Sequence, residues 1–205
     1  MERPTFVPLH YGYQTIEGGK KSNVAKVELS DGTSWILKEL KDGFKKPEKA
    51  EMKALELYEQ FKMIERYLGP YVAETRFLAW PNPTGGHSVY SMQRYLEGVS
   101  FEKGLALAQE TGDVYRFKDF LTRCLQMYEG KKVKKIIPDI SGSDVFFGWW
   151  KPETTPNIIV NRDVNGVLSP ILIDVGFISE ELGTQWFLHN RVLGMATKRL
   201  LKSLG

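Results

Sequence analysis

Four polar residues interrupt apolar stretches of this chain: Lys38 in S-W-I-L-K-E-L, Asp139 in I-I-P-D-I-S-G, Asn157 in T-P-N-I-I-V and Asp174 in I-L-I-D-V-G-F. A lysine inside an apolar strand is costly to bury unless it meets an anion. An aspartate that ends an apolar strand, with Gly176 two residues on to free the backbone, suits a hard cation. Asn157 offers such a cation a second oxygen. Asp139, between Ile136-Ile137 and a Ser-Gly loop, can serve as a general base. Each also has a plain structural use: Lys38 on the wet face of its strand, the three Asx residues as turn caps.

The elements that must carry these residues are legible. Residues 11–29 hold Gly18-Gly19, a polar tetrad and then apolar alternation, the pattern of a half-exposed strand. Asp31-Gly32 marks a hairpin turn, and residues 34–40 return as a strand containing Lys38. A helix is expected over about residues 48–68, with Ala54, Tyr58, Phe61, Ile64 and Leu68 facing inward and Gly69-Pro70 ending it. Glu51 falls at the edge of that stripe, where it could pair with Lys38. Strands follow over 72–80 and 88–96. Beyond Gly98 come a weak helix, a strongly striped helix over 113–129 and a last helix over about 185–203. Residues 155–177 form two apolar strands around Asn165-Gly166, with Asn157 and Asp174 at the open end.

Bulk composition narrows the classes. The chain has 205 residues, 42% hydrophobic, 12% aromatic and 26% charged, enough for one large domain or two small lobes. The net charge of +3 fits an anionic ligand without singling out nucleic acid. Cys124 stands alone, so no internal disulfide is expected, and it lies on the stripe of a helix as a core residue. No apolar run is long enough to span a bilayer, and the N-terminus lacks a signal-peptide core. A cytoplasmic protein without membrane contact is the expectation. His10, His87 and His189 are isolated, which argues against a histidine-based metal site.

The order of these features resembles the protein-kinase-like superfamily, from Gly18 to Gly176, and among its members the small atypical ones, such as aminoglycoside-phosphotransferase-like and bacterial minimal kinases. The resemblance implies an α+β, two-lobed fold. Residues 1–96 would form an antiparallel N-lobe with one long helix, and 97–205 a reduced, mainly helical C-lobe. It implies ATP and Mg²⁺ as cofactors. Lys38, in W-I-L-K for V-A-I-K, would contact the α/β-phosphates, with Glu51 as its helix partner. Gly18, Gly19 and Ser22 would stand in the Gly-rich loop, and Met92, Gln93 and Tyr95 in the hinge that holds adenine through backbone groups. Asp139 in I-I-P-D would be the catalytic base, and Asp174 and Asn157 the metal ligands.

The sequence departs from the family pattern in four respects. No His-Arg precedes Asp139. Asn157 follows Asp139 by 18 residues, whereas the family's spacing of five lands on Asp144, so the second ligand is Asn157 after an insertion or Asp144 without one. The Gly-rich loop lacks spaced glycines. About 29 residues follow Gly176, too few for a protein kinase's activation segment and large helical subdomain.

The expected function is ATP- and Mg²⁺-dependent transfer of the γ-phosphate to a hydroxyl acceptor, a small molecule or a protein. The alternative is a pseudokinase, a nucleotide-binding regulatory or interaction module, which the departures favour. A third reading, nucleic-acid binding through Lys131, Lys132, Lys134 and Lys135, competes with a solvated helix end and is disfavoured. Phe146, Phe147, Trp149 and Trp150 are expected to pack into the core, and the other readings are that they cover the active site or bind a partner.

Overall fold

The computed structural model describes residues 14–16, 22–40, 43–82, 85–129, 136–138, 157–163, 165–173, 177–179 and 184–205. These divide into two compact units, Met1–Leu57 with Thr75–Tyr95, and Tyr58–Glu74 with Leu96–Gly205. Gly18, Gly19, Asp139, Asp144 and Asp174 lie outside the described residues, as do the 131–135 lysines and the 146–150 aromatics.

The first unit is an antiparallel sheet of five strands: β1 (Gln14–Ile16), β2 (Ser22–Glu28), β3 (Ser34–Leu40), β4 (Thr75–Pro81) and β5 (His87–Arg94), in the order β1-β2-β3-β5-β4. The β2–β3 turn forms because Gly32 adopts φ +79° and Asp31 ties the returning chain. The Asp31 Oδ1 accepts from the Thr33 N–H at 2.8 Å and from its hydroxyl at 2.6 Å. These bonds hold the Asp31 carboxyl below its ordinary value. Helix α1 (Pro47–Leu68) is inserted between β3 and β4 and opens on a proline, whose missing N–H costs nothing there. Ala50 and Ala54 pack on Val89, with Phe77, Ala79, Phe44 and Leu57 around them. The antiparallel sheet with one long inserted helix is as expected. Tyr58 is not: it is 41% exposed, and the inward stripe runs through half-buried Leu57 to Phe61, Ile64 and Leu68.

The C-terminal half of α1 belongs to the second unit. It ends at Gly69, φ +55°, in a 3-10 turn over Gly69–Tyr71. The unit continues with β6 (Val99–Ser100), α2 (Phe101–Thr111), α3 (Tyr115–Glu129), β7 (Ile136–Pro138), β8 (Ile158–Arg162), β9 (Leu168–Leu172), β10 (Phe177–Ser179) and α4 (Thr184–Ser203). Its core joins Phe101, Phe117, Phe120, Met127, Leu172 and Leu193. Cys124 is part of it at 1% exposure, and burial pushes its thiol up.

Helix α2 is firmer than its composition suggests, because both ends are closed. The Ser100 hydroxyl accepts from the Lys103 N–H, and Gly112, φ +72°, ends it with N–H bonds to the last carbonyls. Gly104, a weak helix former, has a packing reason: a Cβ there would stand 2.4 Å from the Cβ of Val160 on β8. Among the described residues, no helix is long and apolar enough to cross a membrane.

Beneath α3, the Tyr71 hydroxyl donates to Asp119 Oδ2 at 2.8 Å, and Arg123 Nε donates to the same oxygen at 2.9 Å. Burial first, then the bond to Asp119 and its charge, push the Tyr71 hydroxyl to about 12. A phenol in an unfolded chain titrates near 10. Protonated Tyr71 therefore stabilises the fold fully below about pH 10, and that contribution is lost as pH rises from about 10 to about 12. Urea unfolding at pH 8 and pH 11 is expected to show a larger loss for the wild type than for Tyr71→Phe; equal losses would remove Tyr71 from the alkaline transition.

Candidate functional site

In the first unit, the face on which Lys38 stands follows from register. Lys38 pairs with Val24 on β2 and with Ser91 on β5, and Ser91 pairs in turn with Phe77 on β4. Directly paired residues share a face. Phe77, with Val89 and Ala79 on the same face, meets α1. Lys38 is therefore half-buried on the helix-covered side of the sheet. Trp35 and Leu37 alternate to the opposite side, where the Arg76 guanidinium lies 5.0 Å from the Trp35 ring. Sequence alternation alone could not make this assignment, since it does not say which face a helix covers.

The Lys38 face also carries a polar group that sequence reasoning did not find. Thr75, Ser91 and Gln93 are all buried, and the Gln93 amide donates to the Thr75 hydroxyl at 3.0 Å. Its only signal was the run of polar residues at alternate positions in β5.

Glu51 follows buried Ala50 by one residue, about 100° around the helix, and its side chain is exposed. Glu48, Glu56 and Glu59 are exposed as well, so none of these four carboxylates is buried.

The expected hinge residues serve the sheet in part. Met92 pairs with Leu37 on one side and Arg76 on the other, and Gln93 with Ile36 and Thr75, so their backbone lies inside the ladder. The Tyr95 N–H donates to the Ser34 carbonyl at 2.9 Å. Sides alternate along a strand, so the Arg94 carbonyl points away from β3. A ligand edge would meet backbone groups from Arg94 onward rather than those of Met92 and Gln93. The ring of Tyr95 lies 4.4 Å below the Lys26 ammonium. Ser22 opens β2, opposite Leu40.

In the second unit, β8 and β9 form the expected hairpin. Its turn is closed by Asp163, whose Oδ1 accepts from the N–H groups of Asn165 at 2.9 Å and Val167 at 3.0 Å. Gly166 takes φ +78°. Arg116 Nη2 reaches Asp163 Oδ2 at 3.3 Å. Pro170 sits in β9, which can hold a proline because it is an edge strand, in the order β6-β8-β9. At the open end the half-buried Asn157 accepts on its carbonyl from the Ile173 N–H at 2.9 Å. Asn157 thus stands opposite the residue that precedes Asp174.

A second pairing was not anticipated. β7 and β10 run antiparallel, with Pro138 opposite Phe177, Ile137 opposite Ile178 and Ile136 opposite Ser179. Pro138 immediately precedes Asp139, and Phe177 immediately follows Gly176. In the sequence, Asp139 directly follows one strand of this ladder, and the other strand begins three residues after Asp174. The signal was two three-residue apolar runs, I-I-P and F-I-S, too short to pair by pattern alone.

Among the described residues, no three His, Cys, Asp or Glu side chains cluster as a metal site. A carboxamide oxygen such as that of Asn157, and an Asp carboxylate of the kind expected at position 174, are oxygen donors of the type Mg²⁺ takes.

No known family profile matches the sequence, and no curated protein matches it. Among solved structures, the chain is similar to the kinase domain of maize sucrose-induced receptor kinase 1 bound to AMP-PNP, with a TM-score of 0.47 and 17% identity. The match covers 97% of this chain and 61% of that one.

Proposed function

We propose that this chain is a small, atypical kinase-like phosphotransferase, moving the γ-phosphate of ATP to a hydroxyl acceptor. In this reading residues 1–96 hold the nucleotide, and residues 97–205 carry the catalytic loop and the metal-binding hairpin. The observation that carries it is the double strand pairing in the second unit. The β8–β9 hairpin sets Asn157 across from Ile173, and the β7–β10 ladder sets Pro138 across from Phe177. Together they support placing a base, Asp139, near the metal ligands Asp174 and Asn157. Lys38, on the third strand and on the helix-covered face, supports the role of phosphate contact.

The chemistry asked of these residues is positioning and charge neutralisation. Asp139 accepts the proton of the acceptor hydroxyl. The Lys38 ammonium offsets phosphate charge. Mg²⁺, held by Asp174 and Asn157, would supply the remaining positive charge when bound. Gly18, Gly19 and Ser22 border the phosphates, and the backbone near Tyr95 meets the base.

The second reading is a nucleotide-binding module without turnover. It is favoured by the absence of His-Arg before Asp139 and by the Asn157 spacing. Assays of ATP hydrolysis and autophosphorylation with Mg²⁺, run beside Mg-ATP thermal stabilisation, separate the two. Turnover supports the transferase; stabilisation without turnover supports the module; neither result would sink both. Lys38→Met is expected to lower turnover by about 100-fold or more, the scale of a lost charge contact in a preorganised site. Glu51→Gln is expected to lower it by less than about 10-fold, because an exposed pair contributes only about 0–1 kcal/mol. Comparable losses for the two variants would mean that Glu51 does more than its exposure indicates.

A further inference from the structure

Helix α1 carries apolar residues where a two-layer packing would place charge. Met52 is 72% exposed, opposite the stripe of Ala50, Ala54 and Phe61, and Leu55, 60% exposed, lies on the outer side about 100° around from Ala54. Met63, 37% exposed, lies on the same side about three turns beyond Met52. Of nine large hydrophobic residues exposed to this degree among the described residues, four lie on this one helix. The outer stripe runs Glu48, Met52, Leu55, Glu59, Lys62, Arg66, in alternating steps of four and three, the spacing of a coiled-coil seam.

The charges on that seam are arranged by end. Glu48 lies in the first turn and Arg66 in the last, with Lys62 close to it. A parallel pair of such helices would set Glu48 on Glu48, Glu59 on Glu59 and Arg66 on Arg66. An antiparallel pair sets Glu48 against Arg66 at both ends, Met52 against the aliphatic stem of Lys62 and Leu55 against the stem of Glu59. The seam is complementary to itself in one direction only.

We propose that the outer face of α1 is a self-association surface, on which a second copy of this chain docks through its own α1 in antiparallel, two-fold symmetric fashion. One helix pair buries less than the about 1,600 Å² of a standard interface. The dimer is therefore of the weak, transient class.

Sedimentation velocity of the full chain over a concentration series tests this. The wild type is expected to shift from monomer toward dimer. Met52→Glu with Leu55→Glu, at unchanged circular dichroism, is expected to remain monomeric. Glu48→Arg alone and Arg66→Glu alone are each expected to weaken association by about 10-fold, and the double exchange to restore it to within about threefold of wild type. That rescue separates a register-specific contact from a general loss of helix stability, which both exchanges together would worsen. A wild type monomeric at millimolar concentration would overturn the proposal and leave the face to a different partner. Failure of the double exchange to restore association would overturn it equally.

Discussion

Asp174→Asn is expected to lower Mg²⁺-dependent phosphoryl transfer by about 10³-fold, equivalent to about 4 kcal/mol of transition-state stabilisation. The substitution keeps size and shape and removes the charge. Asp174 follows Ile173 in the sequence, and the Ile173 N–H is bonded to the carbonyl of Asn157 in a hairpin that the change does not touch. Thermal stability in the absence of nucleotide should therefore be unaltered. Magnesium titrations of the residual activity check the cause. A lost metal ligand shifts the Mg²⁺ dependence to higher concentration, whereas a disturbed fold lowers activity at every concentration alike. Asn157→Ala is the companion measurement. A smaller loss is expected there, because a neutral donor contributes less to a cation than a carboxylate. Full activity would pass the second ligand's role to Asp144.

Gly104→Ala is expected to destabilise the second unit by about 1–3 kcal/mol, the usual cost of overpacking a well-filled core. The new methyl would stand 2.4 Å from the Val160 Cβ and its Cγ2, and 2.6 Å from Cγ1. Ordinary carbon contacts lie near 3.5–4.0 Å, so α2 must move off β8 by about 1 Å. Gly98 constrains the same strand, since a Cβ there would lie 2.6 Å from the Val160 carbonyl oxygen. Helix propensity alone predicts the opposite sign, a gain of about 1 kcal/mol for alanine over glycine within a helix. Urea unfolding thus decides between local propensity and packing. Val160→Ala should not rescue the variant, because the closest clash is with the Cβ that alanine keeps.

These cases show what the sequence could and could not reveal. Strand β3 and helix α1 were legible to within a residue or so, because the Asp31-Gly32 turn, the apolar spacing from Ala54 to Leu68 and Gly69-Pro70 mark them out. The hairpin was legible from Asn165-Gly166 and two β-branched runs. Helix α2 read as weak because Gly104 lowers its propensity, while its two caps and its contact with Val160 are tertiary facts. Tyr58 fits the inward spacing, four residues after Ala54, yet the helix turns it out and Leu57 takes its place. At the candidate site, residue types suggested the chemistry, but the face of Lys38 required the register of three strands. The exposure of Glu51 depends on which side of α1 meets the sheet. The β7–β10 ladder joins runs of three residues nearly 40 positions apart, and no local pattern signals such a pair.

In the proposed site, Asp139, Asp174 and Asn157 serve one bound Mg²⁺-nucleotide with Lys38 on its phosphates. A crystal structure of the chain with Mg²⁺ and a non-hydrolysable ATP analogue tests it most directly. The expected result is a metal at about 2.1 Å from oxygens of Asp174 and Asn157, the Lys38 ammonium on the α/β-phosphates and Asp139 facing the γ-phosphate. A nucleotide bound away from Lys38, or a metal held without Asp174, would contradict it.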